Sequence, residues 1–312
     1  MQDETAPIDA SPAALVGAGA VGTVLARRLA ACGYPVRAVL SRTAADARAL
    51  AERVGAPVGS DALAALPGDV RLVLLCVPDD AIAGVAEALA ALDHPWPRTV
   101  VAHTSGAHTA DVLAPLADRG AAALSFHPLQ TFTAGTPPAA FEDIVVGVEG
   151  APDAVTAGEG LARTLGARPL VLSAAEKVRY HGAAVLASNG LVALMGVVQE
   201  VMAGTDLGDT DALEALAPLV EQTWANLRAA PPESVITGPV ARGDQDTVAA
   251  HLAALADDAP HLLPLYAALS TEMARLAVRG GHLDADTAEA LLRRLGGALG
   301  DDDDEDFTYP SH

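Results

Sequence analysis

The sequence predicts a two-part α/β chain: a doubly wound, mostly parallel sheet followed by an all-helical domain. Three observations support this expectation. Short apolar runs alternate with helical stretches as far as about residue 172. The first run turns into its helix through a glycine-rich segment, and nothing beyond Ser173 reads as a strand.

In chain order the strand-like runs are 13–16, 36–40, 72–77, 99–102, 121–125, 144–148 and 169–172. Helical patterns fill 21–31, 44–54, 81–92 and 109–116 between them. From Ala174 to about Ala203 the chain is one long apolar helical stretch. Further helices are expected over 209–227, 244–257, 262–278 and 285–295, the last stopped by Gly296 and Gly297. The expected organisation is therefore a polar N-terminal segment 1–11, a sheet domain 12–173, a helical domain 174–299 and an acidic tail 300–312. Both terminal segments are expected to be disordered; the run of acids from Asp301 to Asp306 repels itself too strongly to fold.

Of 312 residues, 51% are hydrophobic and only 3% aromatic, so the core must rest on Ala, Leu and Val in close-packed helices. Asp and Glu number 40 against 19 Lys and Arg, a formal charge of −21. Such a field repels nucleic acid and anionic membranes, and neither is an expected partner. Lys177 is the only lysine. An acidic, lysine-poor surface suits a salt-rich, halophilic cytoplasm that screens self-repulsion. Cys32 and Cys76 fall in a helix and a strand and are expected to pack without disulfide or metal. Residues 1–11 do not resemble a signal peptide. The apolar runs are Ala-rich and broken by glycine, and read as buried helices rather than membrane spans. A cytoplasmic location is expected.

The segment Gly17-Ala18-Gly19-Ala20-Val21-Gly22 has the G-x-G-x-x-G spacing between a strand and a helix, with a second strand at the expected distance. Gly17 makes the tight turn, Gly19 lets a pyrophosphate approach the backbone, and Gly22 lets helix pack on strand. The helix that opens there offers free N–H groups and its positive dipole end to phosphate. This is a Rossmann-type dinucleotide fingerprint. After the second strand an acid would hold the ribose hydroxyl of NAD; this chain has Ser41 and Arg42, which suit a 2′-phosphate. NADP(H) is therefore favoured over NAD(H). Val77 and Pro78, at the end of the run 72–77, are expected to line the cofactor, and Asp79 and Asp80 to cap the next helix.

Polar groups at the carboxyl ends of strands are the further candidates. His103-Thr104-Ser105-Gly106 follows one strand, and Ser125-Phe126-His127-Pro128-Leu129-Gln130 spans the end of another. His103 and Thr104 are assigned to the cofactor, Ser105 and His127 to catalysis, and Ser105 and Gln130 to substrate. The alternative is that these groups satisfy loop backbone. On the long helix, His181 and Asn189 are catalytic candidates and Ser188 a substrate contact, with interhelical hydrogen bonding as the alternative. Lys177 reads as exposed in the first turn of that helix. Arg242, in Thr237-Gly-Pro-Val-Ala-Arg-Gly-Asp244, is either an anion contact for a carboxylate or part of a turn capped by Asp244. No metal site is expected.

With these segments the chain resembles a widespread bacterial family of Rossmann-like proteins whose C-terminal half is a domain of unknown function. The resemblance runs from Leu15 to about Ala277; 126–132 and 237–244 are its most distinctive parts. More distantly the layout is similar to pyrroline-5-carboxylate reductase and to the 6-phosphogluconate and β-hydroxyacid dehydrogenases. That resemblance implies a helical domain of the 6-phosphogluconate dehydrogenase C-terminal type, a homodimer formed through it, and an active site between the domains. The β-hydroxyacid dehydrogenases use a closely spaced Lys and Asn; here His181 and Asn189 are eight apart, so that role does not pass to Lys177. The expectation is an NADP-dependent oxidoreductase of a small polar substrate such as a carboxylate, with His181 moving the proton. A non-catalytic NADP(H) sensor or regulatory dimer would show the same fingerprint, and so would a dehydratase or isomerase that keeps its cofactor bound.

Overall fold

The computed structural model describes residues 11–297 except 134, 204, 206 and 207. The terminal segments expected to be disordered lie, Ser11 apart, outside the described residues. The chain forms two compact units, residues 1–190 and 191–312.

The first unit is built on β1 (Ala13–Val16), α1 (Ala20–Ala31), β2 (Val36–Leu40), α2 (Ala44–Val54), β3 (Val58–Ser60), β4 (Leu72–Leu75) and α3 (Ile82–Ala90). It continues through β5 (Val100–His103), α4 (Ala114–Ala117), β6 (Ala122–Pro128), β7 (Val145–Gly150), α5 (Pro152–Thr164), β8 (Arg168–Val171) and α6 (Ala174–Val185). The strands make one sheet in the order β3-β2-β1-β4-β5-β6-β7-β8. All pairs are parallel except β6 with β7. The order reverses between β1 and β4, which opens the crevice where such sheets bind ligands.

Both faces of the sheet are covered, which is why the central strands read as unbroken apolar runs. Leu15, Leu74, Phe126 and Val148 pack with Leu25 and Leu29 of α1 and Leu161 of α5 on one face. Val16, Leu75 and Val101 pack with Ile82 and Leu89 of α3 and with Trp96 on the other. Burying each such side chain stabilises the unit by about 1.5–3 kcal/mol.

The structure departs from the sequence-based expectation at several places. β3 is only three residues long and too short for the pattern to show. β6 runs on to Pro128 because antiparallel pairing with β7 holds Phe126, His127 and Pro128 against Val148, Gly147 and Val146. The helix expected over 109–116 splits into a 3₁₀ turn, Ala110–Leu113, and the short α4 with Pro115 near its start. Asp79 and Asp80 make no capping hydrogen bond and are exposed. The last strand ends at Val171, yet the first unit extends to Gly190, because α6 lays side chains back on the sheet. A π turn, Leu186–Gly190, ends the unit.

The second unit contains α7 (Leu191–Met202), α8 (Gly208–Ala229), α9 (Pro232–Val235), α10 (Gln245–Asp258), α11 (Leu263–Arg279) and α12 (Ala285–Gly297). Val248, Leu291 and Leu295 close on Ala267, Ala274 and Ala277 of α11, whose small side chains let the helices approach closely. The helical run Ala174–Met202 is long and apolar enough to cross a membrane, but no residue in its most apolar stretch is buried within the chain. This corrects the expectation of a buried helix: α7 lines an open apolar groove with Leu255 of α10 and Leu265 and Leu269 of α11.

Candidate functional site

The glycine turn has the conformation the fingerprint requires. Gly17 sits at φ +110°, and a Cβ there would run into the Cys76 carbonyl. A Cβ on Gly22 would overlap the Gly17 carbonyl, so this glycine sets how closely α1 approaches β1. Gly19 differs: it is exposed, caps α1, and a Cβ built on it meets nothing within 4 Å. The first helical bond runs from Thr23 N–H to the Gly19 carbonyl at 2.8 Å, leaving the N–H groups before it without helical partners. No acid occupies the first turn of α1. Open space over unpaired donors at the positive end of a helix fits a pyrophosphate, so the residues present suit a dinucleotide.

Other expected cofactor residues lie along the same carboxyl edge of the sheet. Ser41 follows β2 and its N–H bonds the Ser60 carbonyl at 3.0 Å, while Arg42 is exposed. Val77 is partly buried and Pro78 exposed after β4. Thr104 is tied to β4 through its N–H and the Leu75 carbonyl, 3.1 Å.

His103 is not placed as expected. Its ring is fully buried: Nδ1 accepts from the Ser105 N–H at 3.2 Å, and Nε2 lies 3.1 Å from the Thr109 carbonyl. Both nitrogens are used to staple the loop 104–109, so the ring is not available to a cofactor. Burial, then the Lys177 charge, lowers its pKa to about 4. Ser105 is corrected likewise. It is buried, and Oγ accepts from the N–H groups of Ala107 and His108 at 3.1 and 3.2 Å. Its hydroxyl serves the turn rather than a substrate.

The sheet supplies the remaining groups by register. His103, Ser125 and Glu149 are direct neighbours across β5, β6 and β7, and so point to one face. His127, two residues beyond Ser125, points to the same face. The α6 helix lies over these rows with Lys177, Tyr180 and His181, spaced as one helical face. Tyr180 rests on Gly147, where a Cβ would come within 3.1 Å of its ring. Its hydroxyl is 3.3 Å from His127 Nδ1, and burial raises its pKa to about 12. His181 packs edge-on to His127 with ring centres 5.8 Å apart. Gly106 fits beneath both: a Cβ there would lie 2.7 Å from His181 Cε1 and 2.9 Å from His127 Nε2. Among the described residues His181 Nδ1 is buried without a hydrogen-bond partner, a costly state for a polar atom unless a ligand or proton completes it.

Ser188 reaches across to Thr131 of the loop after β6, the hydroxyls 3.1 Å apart, within the π turn that also exposes Asn189. Gln130 is exposed and its side-chain oxygen accepts from the Thr131 N–H. Arg242 is exposed in the second unit, in a turn closed by its own N–H on the Gly238 carbonyl. Asp244 caps α10 by accepting from Thr247 N–H at 3.0 Å.

Lys177 overturns the reading from sequence. It is 1% exposed, and Nζ donates to Ser125 Oγ at 2.7 Å and to the Ser105 carbonyl at 3.0 Å. Ser125 and Gly106 stood in the candidate segments without a role of their own, and Glu149 and Tyr180 were given none. The one available signal was that an arginine-rich chain keeps a single lysine. Cys32 and Cys76 are free thiols, and burial pushes Cys76 up to about 12.

Comparison with known proteins agrees with this layout. Residues 7–128 match a Rossmann-like domain, and residues 144–273 match a domain of unknown function (DUF2520). Comparison with curated proteins gives no match. Among solved structures, the chain is similar to a Bacteroides fragilis protein provisionally named an NADP oxidoreductase. The two are 26% identical over 86% of this chain and 99% of the other, with a TM-score of 0.70. An imine reductase from Myxococcus stipitatus, solved with NADP+, shares the fold at 16% identity, 90% and 99% coverage and a TM-score of 0.57. A pyrroline-5-carboxylate reductase from Coxiella burnetii does so at 15% identity, 93% and 99% coverage and a TM-score of 0.55.

Proposed function

We propose, from the matches of residues 7–128 to a Rossmann-like domain and of residues 144–273 to a DUF2520 domain, that the chain is an NADP-dependent oxidoreductase of a small polar carbonyl or imine compound. One observation supports this reading above the others. The open Gly19 turn and the His127–His181 pair lie on the same carboxyl edge of one sheet. Bound NADPH would supply the hydride, leaving the protein to orient the substrate and move one proton. In this reading Gly17, Gly19 and Gly22 shape the pyrophosphate cradle, and Ala18, Ala20 and Val21 line it. Ser41 and Arg42 hold the 2′-phosphate. His181 exchanges the proton, while His127 and Tyr180 orient each other beside it.

The test is a titration of the purified protein with NADPH and NADH, followed by nicotinamide fluorescence. NADPH is expected to bind more tightly. Arg42→Ala is expected to weaken NADPH by about 10- to 100-fold, the loss of one charge-assisted phosphate contact, and to leave NADH nearly unchanged. Equal binding of both in the native chain would sink the NADP assignment. A screen of carbonyl and imine acids with NADPH then looks for the substrate.

The proposal extends to a cytoplasmic homodimer formed through the helical domain. Its support is apolar surface that a lone chain leaves in water: Val192 is 73% exposed on α7, and on α8 Trp224 is 64% and Leu219 63% exposed. The charge of −21 opposes association until salt screens it, with a Debye length of about 3 Å near 1 M. Sedimentation velocity is expected to show a dimer in molar KCl that loosens as salt is removed. A monomer at every salt concentration would rule the dimer out.

A further inference from the structure

We propose that Lys177 is a positioning residue, a buried cation that braces the 104–109 turn and fixes the electrostatics around His127 without touching substrate. The inference deepens the oxidoreductase reading and rests on its choice of site.

The geometry comes from the register of three strands. Ser125 lies in the middle of the row His103–Ser125–Glu149, and Lys177 descends on it from the first turn of α6. One N–H of the ammonium goes to Ser125 Oγ at 2.7 Å and another to the Ser105 carbonyl at 3.0 Å. Glu149, buried beside it in the row, supplies the nearby negative charge and also accepts from the Ala110 N–H at 2.8 Å. The turn that places Gly106 beneath His181 and His127 is thus held at Ser105 by the lysine and just past its other end by the glutamate. With 1% exposure, Lys177 presents no surface to a substrate. Its buried charge instead acts on its neighbours.

His127 faces Lys177, Tyr180 and His181 from α6, His103 from β5 and Asp79 from the segment after β4. Burial first, then the Lys177 charge and His181, lower its pKa to about 4, against a smaller opposing pull from Asp79. An uncharged His127 can stay engaged with the Tyr180 hydroxyl while the proton transfer falls to His181. Lys177 itself is lowered to about 8 by burial, with Glu149 and Asp79 holding it up against that, so below that pH it remains charged.

The chain's single lysine makes the test unambiguous. The first measurement follows the imidazole resonances of the whole chain, without cofactor, through a pH titration. In Lys177→Met the His127 midpoint is expected to rise by about one unit, the effect of removing one nearby like charge. Met cannot pair with Glu149, so the double variant Lys177→Met/Glu149→Gln, which removes both buried charges, guards against misfolding and should show the same direction. A His127 midpoint that stays put in both folded variants overturns the proposal. The second measurement treats the native chain with a small amine-reactive reagent and maps the product by mass. Lys177 is expected to stay unmodified until the chain is unfolded. Modification in the folded state would mean that the ammonium is open to ligands, and the brace would be wrong. Neither readout needs turnover or bound NADPH, so failure of the oxidoreductase reading would leave this result standing on its own.

Discussion

Gly19→Val is expected to fold like the native chain and to bind NADPH at least about 100-fold more weakly, a loss of roughly 2.7 kcal/mol. The two halves of that result come from different features of one position. Gly19 has an extended backbone that valine adopts readily, and a Cβ there meets no atom of the described residues within 4 Å. The new side chain would instead fill the space over the free N–H groups of α1, where a pyrophosphate must come closest to the backbone. The contrast is Gly17→Ala. At φ +110° and against the Cys76 carbonyl, it is expected to lower the melting temperature itself. Thermal unfolding together with nicotinamide fluorescence separates the two. Unchanged binding in Gly19→Val would mean that the cradle holds no dinucleotide.

His181→Ala should leave NADPH affinity within about threefold of native and cut turnover by about 10²–10⁴, the usual weight of a positioned acid or base. The ring sits over Gly106 and beside His127 with one buried nitrogen unpaired among the described residues, so removing it takes away an unpaired polar atom and costs the fold little. The assay uses whichever carbonyl or imine acid the screen yields. Full turnover in the variant would move the proton to another donor, Tyr180 being the next candidate with its hydroxyl 3.3 Å from His127 Nδ1. If neither native nor variant chain turns anything over while both bind NADPH, the protein is a sensor rather than a catalyst.

The glycine turn was legible because its requirements are local. A tight left-handed turn, an open cap and a close helix–strand contact each demand glycine at a fixed offset, and Gly17, Gly19 and Gly22 meet all three. The alternation of apolar runs and helices was legible for the same reason, since a strand buried on both faces must be apolar throughout. Where the information was non-local, the reading failed. His103 and Ser105 have the residue types of a catalytic loop, but the loop folds back and consumes their polar atoms in its own turn. β3 is too brief for a pattern to emerge, and the exposure of α7 depends on what the second unit leaves uncovered.

Lys177 shows where sequence stops and tertiary structure takes over. The sequence alone fixed that a single lysine stands in the first turn of an apolar helix, four residues before His181. Helical spacing alone also put Lys177 and His181, four residues apart, near one face. Only the packed sheet decided what that face meets. Antiparallel pairing of β7 with β6 brings Glu149 beside Ser125, and parallel pairing brings His103 to its other side. The ammonium can be buried there because β6 delivers a hydroxyl, the loop after β5 a carbonyl, and β7 a nearby negative charge, all distant from it in sequence. Register between strands is set by long-range pairing and not by any local pattern, so the identity of this lysine was readable from the chain while its burial was not.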